Sequence, residues 1–180
     1  MPFAVGTAGF AGIALEIVML LSFQVLYGYV YHIIGIIIAS FMMGLIAGTV
    51  FMNRIIGGIK RDILAFSALA LSVALYSLIL PLLIGASSFE SAWIILPALT
   101  AFAGFFVGAE FPLASKICMK EITNVGRTAG MLYGADLLGA CGGALVTSSL
   151  LVPLFGITNV CVFAAMLNFI SFILLIGNYA

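Results

Sequence analysis

Three acidic side chains, Glu16, Glu110 and Asp136, lie within stretches of sequence that are otherwise apolar. An ionised carboxylate at the centre of a bilayer costs roughly 2.5–3.5 kcal/mol on insertion scales. Because no lysine or arginine lies inside these stretches, such an acid must be protonated, hydrogen-bonded or neutralised by a cation from elsewhere. Glu16 and Asp136 are therefore candidate sites for binding a proton or a cation. The alternative is a protonated carboxyl that hydrogen-bonds across helices and contributes to packing alone.

Glu110 has a second interpretation because it lies nearer the end of its apolar stretch, on the same side of the membrane as Lys116 and Arg127. We predict that these three residues form an ion-pair cluster at the membrane surface. In that arrangement Glu110 would take no part in binding a transported ion.

Residues that would bind a metal or a cofactor are scarce in this sequence. A single histidine, His32, and three cysteines without ligand spacing do not make a metal site. The sequence has no glycine-rich dinucleotide motif, no P-loop and no HExxH motif. We therefore expect no metal, no cofactor and no catalytic residue, and the chain by itself is not expected to be an enzyme.

The composition is that of an integral membrane protein. Hydrophobic residues make up 65% of the 180 residues and charged residues 7%, whereas a soluble domain has about half and about a quarter. The lipid bilayer is thus the first expected partner. The net charge is zero and no basic tract is present, so nucleic acid is not expected to bind.

Six stretches have the ~20 largely apolar residues that a membrane span requires. Backbone groups in lipid must be hydrogen-bonded within their own segment, so each stretch is predicted to be a helix. The expected fold is an all-α, polytopic helix bundle that forms one membrane domain over residues 1–180. The predicted spans are 3–26, 30–52, 63–84, 92–113, 128–152 and 157–177.

The basic residues predict the orientation of these spans. All six fall in two connections on the same side of the membrane, Arg54, Lys60 and Arg61 between spans two and three, and Lys116, Lys120 and Arg127 between spans four and five. By the positive-inside rule this side is cytoplasmic. With six spans, both termini are then cytoplasmic, and we expect the protein in a bacterial or archaeal cytoplasmic membrane.

Small residues recur at intervals of four along the predicted spans, which lets helix backbones approach closely. The stripes are Ser40, Gly44 and Gly48; Gly104, Gly108 and Pro112; Gly126, Gly130 and Gly134; and Ala135, Gly139 and Gly143. They indicate tight packing either inside one bundle or against a second subunit.

Short sequence matches indicate an internal repeat of three spans. Gly9-Phe10 precedes Glu16 as Gly104-Phe105 precedes Glu110, and Leu-Tyr-Gly occurs at 26–28 and again at 132–134. Two halves of three spans each would have opposite orientations, as in inverted-repeat transporters.

Several longer motifs run through nearly the whole chain: GAEFPL at 108–113, Gly126-Arg127, LYGADLLGA at 132–140, LLVPLFG at 150–156, ALEI at 14–17 and FMMGLIAG at 41–48. Together they resemble the membrane region of membrane-fused spermidine synthases. In that family a helical membrane region, distantly similar to half of a major-facilitator transporter, is joined to a Rossmann-like domain that transfers an aminopropyl group from decarboxylated S-adenosylmethionine to putrescine. The resemblance implies membrane-module ancestry without the catalytic domain, so no catalytic residue is carried over.

Three functions are open on this reading. The first is a non-catalytic membrane subunit that anchors or scaffolds a larger assembly, with other membrane or cytoplasmic subunits or a second copy as its partner. The second is half of a transporter for polyamines or other cations that works as an oligomer, with Glu16 and Asp136 near the pathway. The third is the membrane part of a split aminopropyltransferase.

Overall fold

The structure is a computed structural model that describes residues 1–28, 31–86, 89–121 and 124–179. The described residues form helices joined by short turns. These are α1 (Pro2–Tyr27), α2 (Tyr31–Ile55), a 3-10 turn (Ile56–Gly58), α3 (Asp62–Ala86), α4 (Phe89–Glu121), α5 (Val125–Val146), a π-helical turn (Thr147–Leu151) and α6 (Val152–Tyr179). The predicted all-α class is confirmed for this part of the chain.

Five helical segments among the described residues are long and apolar enough to cross a membrane. Four of them correspond to α1 to α4, and the fifth is the 53-residue run Val125–Gly177, which contains α5, the π-helical turn and α6. A straight helix of that length would extend about 80 Å, well beyond the thickness of a bilayer. The run is interrupted at Gly156, where φ is 77° and ψ is 170°.

Two close helix pairs in the bundle are related by a constant shift of 95 residues. In each pair, glycines of one helix lie so close to the facing helix that an added Cβ would meet a backbone carbonyl. The contacts are Gly44 with Ala101 and Gly48 with Phe105 between α2 and α4, and Gly139 with Gly6 and Gly143 with Phe10 between α5 and α1. In both pairs, the later glycine of one helix faces the later residue of the other helix. The two helices of each pair are therefore parallel.

Helix α6 runs along α1 in the direction opposite to α5. The ring of Phe163 lies 5.9 Å from that of Phe10, and Leu175 belongs to the same buried cluster as Ala4 and Val5 near the start of α1. Because α5 is parallel to α1 and α6 is antiparallel to it, the chain turns back in the region of Gly156.

The contacts therefore support two structural halves, α1–α3 and α4–α6, of opposite direction. The Gly-Phe match of the sequence has the same shift as the glycine contacts, since Gly104 lies 95 residues after Gly9. The Leu-Tyr-Gly match does not, because 106 residues separate 26–28 from 132–134. Only the first match belongs to the structural repeat.

The six basic residues lie at one end of the bundle, which we call the basic end. The Lys116 ammonium of α4 donates hydrogen bonds to the carbonyls of Ile56 and Ile59, in the connection between α2 and α3, at 2.8 and 3.0 Å. A buried apolar cluster that includes Leu113, Leu132 and Leu175 joins α4, α5 and α6 at this end.

Candidate functional site

Glu110 on α4 is the most completely buried acid among the described residues. The residue is 2% exposed, and neither of its carboxyl oxygens has a hydrogen-bond partner. A buried polar group without a partner loses its hydration and gains nothing in return, which costs about 1–3 kcal/mol. Most buried polar side chains in proteins are hydrogen-bonded, so this exception requires an explanation.

The backbone around Glu110 is shaped by Pro112. Proline has no amide hydrogen, so the carbonyl four residues earlier, that of Gly108, loses its helical partner. Thr49 of α2 replaces it by donating a hydrogen bond from Oγ1 to the Gly108 oxygen at 2.9 Å. The absence of a side chain on Gly108 allows this approach, because a Cβ there would overlap the backbone of Leu45. Glu110 is thus held on a helix that is fixed directly to α2.

Asp136 on α5 lies at the same depth as Glu110. Gly12 of α1 faces Val107 of the antiparallel α4, at 3.3 Å from its methyl carbons. Glu110, one turn towards the basic end, is therefore level with Gly9. Asp136 of α5 contacts Gly9, so the two acids lie at one level of the bundle. The structure thus places Glu110 and Asp136 on two helices that flank α1.

Glu16 lies elsewhere in the bundle. It is 9% exposed on α1, seven residues from Gly9, which is about 10 Å along the helix. The two acids predicted as candidate sites, Glu16 and Asp136, therefore lie at different levels of the bundle, and Asp136 lies at the level of Glu110. Among the described residues, no group of three histidine, cysteine or acidic residues could hold a metal ion.

The ion pair at the basic end involves a different acid from the one predicted. Lys116 bonds to Oδ1 of Asp62 at 2.7 Å and Lys120 bonds to Oδ2 at 2.6 Å. Glu110 does not take part, because it points into the bundle and makes no hydrogen bond. The predicted cluster of Glu110, Lys116 and Arg127 thus has a different composition in the structure: Lys116 is bound to Asp62 and to the carbonyls of the preceding connection.

The two carboxyl groups of Glu110 and Asp136 define the chemistry that this site can perform. Two acids at one level of an apolar bundle are unfavourable neighbours in the charged state, because desolvation and like charge both disfavour ionisation unless a positive charge joins them. Either a proton is held on one of them or a cation is bound between them. The two ion pairs found among the described residues both belong to Asp62, so the cation would come from outside the chain.

Comparison with known proteins adds no further information about this site. The chain matches no protein-family model, no curated protein and no solved structure.

Proposed function

We propose that this chain is a multi-pass membrane protein that binds a proton or an organic cation at Glu110 and Asp136 and carries it across the membrane. The observation on which the proposal depends is the buried Glu110 carboxyl, whose oxygens both lack a hydrogen bond. Natural sequences rarely retain an intramembrane acid without a function. Asp136, at the same level of the bundle, supplies the second carboxyl group that a cation would need.

The architecture is consistent with a carrier. Inverted repeats of three helices are common in secondary transporters, which bind their substrates near the middle of the membrane at the interface of the repeats. Here Glu110 belongs to the first helix of the second half and Asp136 to the second, and both flank the first helix of the first half. The site therefore lies where the two halves meet.

Six membrane crossings, with both termini in the cytoplasm, form part of this proposal. The reversal of direction between α5 and α6 supports two crossings for the run Val125–Gly177, and the basic end is assigned to the cytoplasm by the positive-inside rule. A membrane-impermeant thiol reagent should then label a cysteine placed at Lys60 only from the cytoplasmic side. Labelling from the outside would reverse the assignment.

Polyamines are the first organic cations to test. They carry several positive charges and would suit a pair of carboxylates, and the resemblance of the sequence to the membrane region of spermidine synthases selects the same class. A proton is the alternative cargo for the same two groups. Proteoliposomes loaded with a pH-sensitive dye distinguish the two, since they report proton flux with and without added spermidine.

The experiment that tests the function compares three variants in the same proteoliposomes. Glu110→Gln and Asp136→Asn should each lower uptake at least tenfold, a change of about 1.4 kcal/mol or more. Glu16→Gln is the matched control, because it removes an acid from the same bundle about 10 Å away along α1. Uptake that persists in both site variants, or that is lost only in Glu16→Gln, would contradict the proposal.

A membrane subunit that anchors a larger assembly is the second candidate function. It is favoured by one face of α5, where Gly130, Gly134 and Gly142 have no neighbouring atom within 4 Å of an added Cβ. Another membrane helix could approach such a face closely. Co-purification from mild detergent tests this function: a partner, including the soluble part of an aminopropyltransferase, should be lost in Gly134→Leu, while a stable monomer without partners would exclude it.

A further inference from the structure

The ion pair at the basic end connects α3 and α4 at a single buried carboxylate. Asp62 is the first residue of α3, and its side chain is 4% exposed. Lys116 and Lys120 reach it from one face of α4, four residues apart, and bind one oxygen each. The acid at a helix N-terminus and the lysines near a helix C-terminus also match the signs of the two helix dipoles.

Lys116 extends this connection to the chain before α3. Besides Asp62, its ammonium binds the carbonyl oxygens of Ile56 and Ile59. The three donors of the ammonium are therefore all used. The end of α4 is thus fixed both to the start of α3 and to the connection that leads into it. Six residues, or about 9 Å along α4, separate Glu110 from Lys116.

Among the described residues, the equivalent position at the opposite end of the bundle holds no ion pair. The shift of 95 residues relates Asp62 to Ile157 at the start of α6, and Lys120 to Val25 near the end of α1. These two residues line a cavity of about 290 Å³, together with Ser22 and Thr158. In the part of the chain that the structure describes, this junction is therefore held by an ion pair at the basic end, whereas the equivalent residues at the other end line a cavity. A second cavity of about 430 Å³ lies beside the ion pair and is lined by Lys116, Lys120 and Pro112 among others.

We propose that Asp62, Lys116 and Lys120 form a releasable latch that holds α3 against α4 at the basic end, and that its release connects Glu110 with that side of the membrane. The latch rests on the proposed function for its purpose, since a carrier must expose its site to both sides in turn. Its mechanical part, the separation of α3 from α4, stands on the buried ion pair that joins these two helices. Charged side chains suit such a role because water can solvate them once the helices part.

The test measures the accessibility of two buried serines on α3. Ser67 lies five residues inside Asp62 and is 2% exposed, and Ser77 lies ten residues further on and is 0% exposed. Each hydroxyl bonds to a carbonyl of its own helix, so Ser67→Cys and Ser77→Cys are matched reporters. The native cysteines Cys118, Cys141 and Cys161 are replaced by alanine, and an impermeant maleimide is added from the basic side.

Asp62→Asn should raise the labelling rate at position 67 about tenfold, which corresponds to an opening easier by about 1.4 kcal/mol, and leave position 77 unchanged. Lys120→Ala is the second variant, because its side chain is 63% exposed and its loss leaves no cavity; it should act in the same direction. Equal rises at both positions would indicate general loosening and overturn the latch, as would no rise at either. The labelling assay does not depend on transport. If the labelling changes as expected but no uptake is found, only the proposed function is contradicted.

Discussion

Gly9 of α1 and Asp136 of α5 are in direct contact across the helix pair that carries the candidate site. A Cβ on Gly9 would lie 2.6 Å from Oδ1 of Asp136 and 2.5 Å from its carbonyl oxygen. The carboxyl of Asp136 therefore lies against bare backbone, in a place that a side chain on α1 would fill. This explains how a helix that is parallel to α1 brings an acid to the level of Glu110.

Gly9→Ala should therefore displace Asp136, whereas Gly12→Ala on the same helix should be tolerated. The methyl group at position 12 would meet only the side-chain methyls of Val107 at 3.3 Å, and these can move. Overpacking against a backbone costs about 1–3 kcal/mol, so the thermal midpoint in detergent should fall in Gly9→Ala and remain near that of the wild type in Gly12→Ala. Equal midpoints in the two variants would show that α5 is not fixed at this contact.

The packing of α2 against α4 gives a second pair of matched glycine variants. A Cβ at Gly48 would overlap the carbonyl of Phe105, and a Cβ at Gly35 of the same helix would meet nothing within 4 Å. Gly48→Ala should lower the free energy of unfolding by about 2 kcal/mol or more, as expected for overpacking that only backbone movement can relieve. Gly35→Ala should stabilise by up to about 1 kcal/mol through helix propensity. Thermal unfolding of both proteins in one detergent measures the difference.

Much of this architecture could be predicted from the sequence, because the bilayer restricts the backbone so strongly. Long apolar stretches in lipid must be helices, and stripes of glycine such as Gly44 and Gly48 mark close helix contacts. Which helices form the contacts could not be predicted, since the same stripe suits any neighbour. The pairing of α2 with α4, and of α1 with α5, is determined by the whole bundle.

The candidate site was harder to predict, and the reason is helix length. The apolar stretch around Glu110 was predicted to end at residue 113, which places the acid near the membrane surface. Helix α4 continues to Glu121, so Glu110 is three turns from the helix end and well inside the bundle. The role of Asp62 in the ion pair could have been predicted from the sequence. It directly precedes a predicted span, and Lys116 and Lys120, four residues apart, carry the opposite charge on the same side of the membrane.

The burial of Glu110 predicts that its removal stabilises the protein. Replacing an unsatisfied buried polar group by an apolar one of similar shape removes a penalty of about 1–3 kcal/mol. Glu110→Met should raise the thermal midpoint while abolishing uptake, the trade-off expected of a functional site. Glu16→Met should raise it less, because Glu16 is 9% exposed and Glu110 2%. A lower midpoint in Glu110→Met would mean that the acid has a stabilising partner.

The Asp62 ion pair predicts that the stability of the protein depends on pH under acidic conditions. Hydrogen bonds from Lys116 and then Lys120 hold the pKa of Asp62 below its ordinary value of 3.8. A lowered pKa in the folded state gives stability that is fully present above the unfolded value and is lost as the pH falls through the folded one. The wild type should therefore exceed Asp62→Asn in thermal midpoint by a constant amount from pH 7 to about 5, and by a shrinking amount below pH 3.8. If the difference in thermal midpoint between the wild type and Asp62→Asn does not change with pH, it arises from packing and not from the ion pair.

The chain reverses direction between α5 and α6 in the region of Gly156. The backbone conformation of this glycine gives a final prediction. With φ at 77° and ψ at 170°, it occupies a region that is essentially restricted to glycine and that costs other residues of the order of 1–3 kcal/mol. Gly156→Ala should lose that amount of stability even though nothing lies within 4 Å of the added methyl group. Gly142→Ala, also in open space but in helical backbone, is the control that separates conformational strain from crowding, and it should be neutral or stabilising. If both variants unfold at the same temperature, the turn is not constrained at residue 156, and the support that it gives to six crossings is lost.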